Sequence, residues 1–230
     1  MHRSATESRV FCGRFWFFAF CFFTLCGTCS WGAETRPPAD QRYQTKVTSE
    51  VPDFQRHVVP LLGRLGCNGR NCHGSFQGRG DFRLSLFGYD FAMDHKGLVG
   101  EASSTEGRRI DRENPSNSLI LKKPTMVIDH EGGERFTADS WEYHLLRRWI
   151  QAGAEKAQRS QELDRLELIP SEILFQNEND TAGLQVLAIW KNGDREDVTP
   201  LCRFRTNDDS VATVSRDGIV SSTGSGDTHI

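Results

Sequence analysis

Cys67 and Cys72 have four residues between them, and His73 follows the second directly, in the run "RLGCNGRNCHGSFQGRG". No other feature constrains the fold as strongly. A close thiol pair with an adjacent imidazole obliges the surrounding chain to close a local disulfide or to build around a bound group. Several chemistries compete. A disulfide suits an oxidising compartment. A zinc clip needs a further ligand, and adjacent Cys and His ligands are awkward for a tetrahedral ion. A redox dithiol wants the C-x-x-C spacing. Covalent haem attachment uses two thiols for the vinyl groups and an imidazole for the iron, with the usual signature C-x-x-C-H. Here the loop is two residues longer, C-x4-C-H, so the extra residues must bulge. Gly69 lies where unusual dihedrals would be tolerated. Of these chemistries, only haem attachment gives a reason for the adjacent histidine.

The compartment follows from the N-terminus. Arg3, Arg9 and Arg14 precede the apolar run "FWFFAFCFFTLC" (Phe15 to Cys26), and "GTCSWGAE" offers small residues for cleavage near Gly32 or Ala33. This is the layout of a secretory signal over residues 1–33. The run is short for a membrane-spanning helix, which needs about 20 apolar residues. The expected product is exported, periplasmic or at the cell surface, with no integral span after cleavage. Cleavage leaves Cys67, Cys72 and Cys202, too few for a disulfide scaffold. Cys202 is expected as a small buried hydrophobe on a strand. The formal charge of -3 gives no reason to expect a nucleic-acid partner.

Residues 34–49, with Pro37-Pro38, read as a flexible polar lead. Residues 50–156 form a first segment. Phe54, Val58, Leu61, Leu62 and Leu65 fall at helical spacing, with a break or kink expected at Pro60. Residues 74–100 are glycine-rich and irregular. Residues 137–152 predict the clearest helix, capped by Thr137 and stopped by Gly153. Residues 157–162 read as a linker. From 163 to 230 the pattern is short strands with turns at Asn192-Gly193 and Asp217-Gly218, the signature of a sandwich. In "LDRLELIP" the inward face is expected at Leu166 and Leu168. The sandwich is expected to be incomplete at its C-terminus.

A covalently held haem needs apolar walls and a ligand on its second face. On this reading Cys67 and Cys72 attach one haem c, and His73 is the proximal iron ligand. Two candidates for the distal position lie in "KPTMVIDHEGGERF": His130, which is preferred, and Met126. Arg79 and Arg83 are candidates to pair with propionates. His57 is expected to be half-exposed on the first helix, and His95 and His144 to be structural or exposed.

The order of these elements resembles a class I cytochrome c: an aromatic-bearing first helix (Phe54), the Cys-Cys-His motif, and a last helix "SWEYHLLRRWIQAGA". The stretch "HVVPLLGRLGCNGRNCHGSFQGRGDFRLSLFGYD" is similar to the cytochrome-like domain of large planctomycete surface or periplasmic proteins. "LQVLAIWKNGDREDVT" with "VATVSRDGIVSS" resembles a bacterial Ig-like group 2 module. The turn that supplies a distal Met in many cytochromes reads "DHEGGERFT" here. The resemblance implies an α + β two-domain chain: a small mainly helical cytochrome c-like domain (50–156) followed by an all-β Ig-like sandwich (163–230). It implies that the first and last helices cross beside the haem. It also implies electron transfer with an unidentified redox partner, and cell-surface contacts through the Ig-like part. The competing expectation is a non-haem structural or adhesion protein with a Cys67–Cys72 disulfide. No nucleophile–base pair or carboxylate dyad suggests an enzyme.

Overall fold

Tyr43 comes from the start of the described chain and Val186, Ala188 and Trp190 from much later, yet all four belong to one buried apolar cluster. The computed structural model describes residues 34–100, 106–156 and 162–230. The expected signal and residues 157–161 of the expected linker lie outside the described residues.

The elements run β1 (Thr35–Arg36), α1 (Ala39–Arg42), α2 (Val59–Arg64), α3 (Phe91–Val99), α4 (Leu119–Lys122) and α5 (Trp141–Gln151), then β2 (Leu163–Ile169), β3 (Thr181–Gly183), β4 (Gln185–Trp190), β5 (Arg195–Asp197), β6 (Ala212–Val214) and β7 (Ile219–Ser222). The expected lead is not a tether, since it contains β1 and α1 and buries Ala39 and Tyr43 completely. A π-helical turn, Phe54–Val58, runs straight into α2. Asp53 starts it by accepting from the backbone N–H groups of Gln55 and Arg56 at 2.8 and 2.9 Å. Pro60 has no N–H to offer the Arg56 carbonyl, so the chain widens there instead of continuing a regular helix. α3 occupies ground expected to be irregular, started by Asp90 accepting from Met93 N–H at 2.9 Å. The cap of α5 is Ser140, not Thr137: its hydroxyl accepts from Tyr143 N–H at 3.3 Å.

The strands form two small sheets, ordered β1-β5-β4-β2 and β3-β7-β6. β4 and β5 are antiparallel across the Asn192-Gly193 turn, and β6 and β7 across Asp217-Gly218. β1 adds to β5 in parallel, so residues from the front of the chain complete a sheet made by its end. β4 is buried from Val186 to Trp190, whereas β2 on the sheet edge has exposed Leu166 and Leu168, contrary to their expected inward placement.

The expectation of a mainly helical domain followed by an all-β Ig-like sandwich is overturned. Ala33–Ile230 is one compact unit. Its main core joins Phe54, Leu61, Leu145 and Trp149 to Val186, Ala188, Trp190, Val198 and Leu201. Val186, Ala188 and Trp190 pack against the helical residues, so the four-stranded sheet spends its apolar face on them. A smaller cluster around Leu184, Ala212 and Val220 serves the three-stranded sheet.

A polar knot lies in the same seam. Glu196 on β5 is fully buried, takes an ion pair from Arg42 and lies 2.8 Å from His57 Nε2. Arg42 also pairs with Glu50. His57 Nδ1 accepts from Asp53 N–H at 2.8 Å, so its Nε2 carries the proton donated to Glu196. The histidine expected to be half-exposed is only 2 % exposed. Arg56 lies 4.0 Å above the Trp190 ring and pairs with Asp194 at 3.2 Å, and Arg64 reaches Asp217 at 2.8 Å.

Burial alone would raise the Glu196 carboxyl, but the His57 hydrogen bond and the charges of Arg42 and Arg56 outweigh it and hold the group below its ordinary value. A depressed folded value means stabilisation present above the unfolded value and lost as pH falls through the folded one. The window therefore lies below the usual glutamate value of 4.5. Glu196→Ala should cost about 3–5 kcal/mol, because it strands two buried partners. Urea unfolding should show this loss, in a single transition for probes in both halves. Glu196→Gln should flatten the dependence of the urea midpoint on pH below the usual glutamate range. An unchanged midpoint in Glu196→Ala, or separate transitions for the two halves, would refute the shared-core account.

Candidate functional site

The Cys67–His73 loop is closed by its own backbone. Gly66 ends α2 at φ +77, the left-handed turn that stops a helix. Cys67 N–H donates to the Leu62 carbonyl at 2.9 Å and His73 N–H to the Cys67 carbonyl at 3.0 Å. Cys72 N–H and Gly74 N–H both donate to the Gly69 carbonyl, at 3.0 and 3.1 Å. The extra residues are thus taken up in a compact turn. Gly69 serves it through its carbonyl, and the left-handed residue is Gly66. Gly74 is required sterically: a Cβ there would stand 2.0 Å from the Asn68 carbonyl oxygen.

A cavity of about 700 Å³ opens on this loop, within the usual range of roughly 300–1,000 Å³ for small-molecule sites. Cys67, Cys72, His73 and His130 all line it. Leu62, Leu84, Leu98, Ile120, Leu146, Phe82 and Phe136 supply apolar wall, Arg79, Arg109, Lys123 and Arg135 supply positive charge, and Glu106, Asp129 and Glu131 supply negative charge, with Lys123 paired to Glu106 at 2.7 Å and Arg79 to Glu131 at 3.9 Å. Met126 is not among the lining residues and is 44 % exposed. Arg83 is not among them either, and lies 5.5 Å from the Phe76 ring. Phe54 and Trp149 stack on one another with centroids 5.4 Å apart, but neither lines the cavity.

The two lining histidines are held alike. His73 Nδ1 lies 3.1 Å from the Phe82 carbonyl and 3.2 Å from that of Arg79. His130 Nδ1 lies 3.0 Å from the Gly133 carbonyl. A carbonyl can only accept, so each Nδ1 carries the proton and each neutral ring keeps its lone pair on Nε2. Among the described residues no hydrogen bond engages Nε2 of either ring. The ring centres are 6.4 Å apart and the planes differ by 12°. The carbonyls of Arg79 and Phe82 are fixed by their own reciprocal backbone bonds at 3.0 and 3.1 Å. Burial lowers the His73 value, offset in part by the Phe82 carbonyl, and this favours the neutral ring.

The remaining imidazoles near the core are structural pins. His57 is bonded to Glu196, His95 Nε2 donates to the Ala154 carbonyl at 2.8 Å, and His144 Nδ1 to that of Tyr43 at 3.1 Å.

Cys67, Cys72 and Cys202 are free thiols. Burial pushes the Cys67 thiol up to about 12, against a smaller opposing effect of Arg135. Arg135 also comes within 3.9 Å of Cys72 Sγ. Cys202 follows a short 3-10 turn at the edge of the main core, and burial raises it to about 11. Among the described residues no group of three or more His, Cys, Asp and Glu side chains is arranged to hold a metal ion on its own.

The sequence reading missed Arg109, Lys123, Arg135 and Phe136 as wall residues. Arg109 donates to the Asp81 carbonyl at 2.7 Å and lies 5.0 Å from the Phe82 ring, so it braces the hairpin that holds His73. No local pattern distinguishes it from a surface arginine. No helix among the described residues is long and apolar enough to cross a membrane. Compared with known proteins, the chain matches no family model and no curated protein.

Protein made without any bound group should alkylate at Cys67 at least about a hundredfold more slowly at pH 8 than its unfolded form, since each unit of raised value is tenfold in reactive thiolate. Mass spectrometry after iodoacetamide pulses reads this directly. Equal rates in the folded and unfolded forms would show that the thiol is not buried as described.

Proposed function

We propose that this chain is an exported electron carrier that would hold one haem c through Cys67 and Cys72, with His73 and His130 as the residues that would bind its iron. The observation that carries the reading is the matched pair of imidazoles. Both have Nδ1 tied to backbone carbonyls, both face one cavity with the two thiols, and their centres are 6.4 Å apart. Two metal–imidazole bonds of about 2 Å each, with each nitrogen about 1 Å from its ring centre, call for centres about 6 Å apart, a distance that the near-parallel, stacked rings match. A bare zinc ion needs four donors, and Cys67, Cys72, His73 and His130 are not arranged to hold one together, whereas iron already held by a macrocycle needs two more, which is the number of imidazoles named on the cavity wall. The apolar walls suit the face of such a disc, and the cationic side chains suit its carboxylates.

The group would supply a one-electron ferric–ferrous couple; everything else is the work of the chain. The carbonyls of Phe82 and Gly133 orient the rings and make their nitrogens better donors. Leu84, Phe82 and Phe136 exclude water from the ring faces. Two imidazole ligands favour a lower potential than an imidazole with a Met thioether. Export rests on the basic and apolar N-terminal pattern, and the partner is another redox protein of the same compartment. This reading depends on the loop and the cavity, not on the fold class expected from sequence.

The test is the absorption spectrum of protein exported from a host with haem-attachment machinery. A haem spectrum should stay with the denatured polypeptide and vanish in C67A/C72A. His130→Ala should convert a low-spin spectrum to high-spin and raise the potential, while Met126→Ala should change neither. Colourless exported protein with a Cys67–Cys72 disulfide would replace this reading with the structural one.

A further inference from the structure

β2 ends the four-stranded sheet, and among the described residues no strand lies beside its outer edge. We propose that this edge is a self-association surface, on which β2 of a second copy pairs antiparallel about a twofold axis through Leu166.

The backbone is poised for it. Val198 N–H donates to the Val186 carbonyl and Trp190 N–H to the Asp194 carbonyl, so the even residues of β4 turn their backbone groups towards β5. Leu187 and Ile189 therefore turn theirs towards β2, where they face Glu167 and Arg165. Alternation along β2 then sends the N–H and carbonyl of Leu166 and Leu168 outwards. A twofold through Leu166 makes that residue a doubly hydrogen-bonded pair with its own copy.

The side chains agree with the same register. Leu166 and Leu168 lie opposite Ala188 and Val186, whose side chains enter the main core. Yet they are 57 % and 38 % exposed, so they carry the core face of the sheet beyond its last strand. Around the proposed axis the two Leu166 side chains meet on that face, with Leu168 opposite the second copy's Asp164, next to the register shift between Leu163 and Arg165. On the opposite face Arg165 comes against the second copy's Glu167, and Glu167 against its Arg165. Within one chain these two already bond at 2.7 Å. Two copies would close an alternating ring of two arginines and two glutamates.

Edge strands are commonly blunted by charge of one sign, which repels a second copy. The charges here are of both signs and self-complementary about the axis. This surface is independent of the haem reading, since none of its residues lines the cavity.

The test is sedimentation of the purified protein across micromolar to sub-millimolar concentration. The wild type should show a concentration-dependent dimer. R165E and E167R should each weaken it by about tenfold or more, because each places like charges opposite one another at two symmetric positions. The two single variants mixed should form a heterodimer, and R165E/E167R should restore the homodimer. These last two results require folded chains, so they separate lost pairing from lost structure. A wild type that stays monomeric throughout overturns the proposal. So does a dimer indifferent to both single variants, or a mixture that fails to associate.

Discussion

Everything else in the fold depends on one buried carboxylate. Glu196 lies on a three-residue strand with no exposed surface, and a lone charge there would be untenable. It is tolerated because Arg42 and His57 arrive from the other end of the chain to meet it. Their arrival fixes α1, the π-helical turn and β5 relative to one another. That arrangement lays Trp190 under Arg56 and sets the sheet against the helices. A buried ion pair is a weak source of net stability compared with apolar contacts of the same volume, but it is strict about geometry. The apolar core supplies the driving force here, and the polar knot selects the way in which the two halves meet.

The candidate site draws on that arrangement indirectly. α2 runs out of the π-helical turn and ends at Gly66, and the thiol loop starts there. Leu62, on α2, and Leu146, on α5, both line the cavity, so the packing of these helices sets its wall. The opposite side is made from turns: the Arg79–Phe82 hairpin and the His130–Gly133 turn, each offering a carbonyl to one imidazole.

The features legible in the sequence were those encoded within a few residues. The thiol–imidazole spacing, the stop at Gly153, the hairpin turns and the break before Pro60 all depend on neighbours in the chain. His130 was a candidate because it falls in the same short run as Met126, and the structure places the first of the pair on the cavity. Features set by distant partners were not legible. Glu196 sits in "NGDRED", which reads as a polar turn, and its burial is decided by Arg42 and His57. Leu166 and Leu168 show the alternation of a half-buried strand, but alternation does not say which strand ends a sheet. Thr137 and Ser140 are both competent caps, and only the path of the chain selects Ser140. The fold class failed for the same reason: the residues that join the halves, Arg42, His57 and Glu196, meet across them.

The wide separation of those partners has a consequence for synthesis. Arg42 and His57 precede Glu196 by 154 and 139 residues. As the chain emerges from the ribosome, Arg42 can meet Glu50 but not Glu196, and His57 has no carboxylate beside it until β5 appears. The turn bearing Cys67 and Cys72 is therefore presented early, on a chain that cannot yet close. An interval during which both thiols stay accessible is built into the order of the residues.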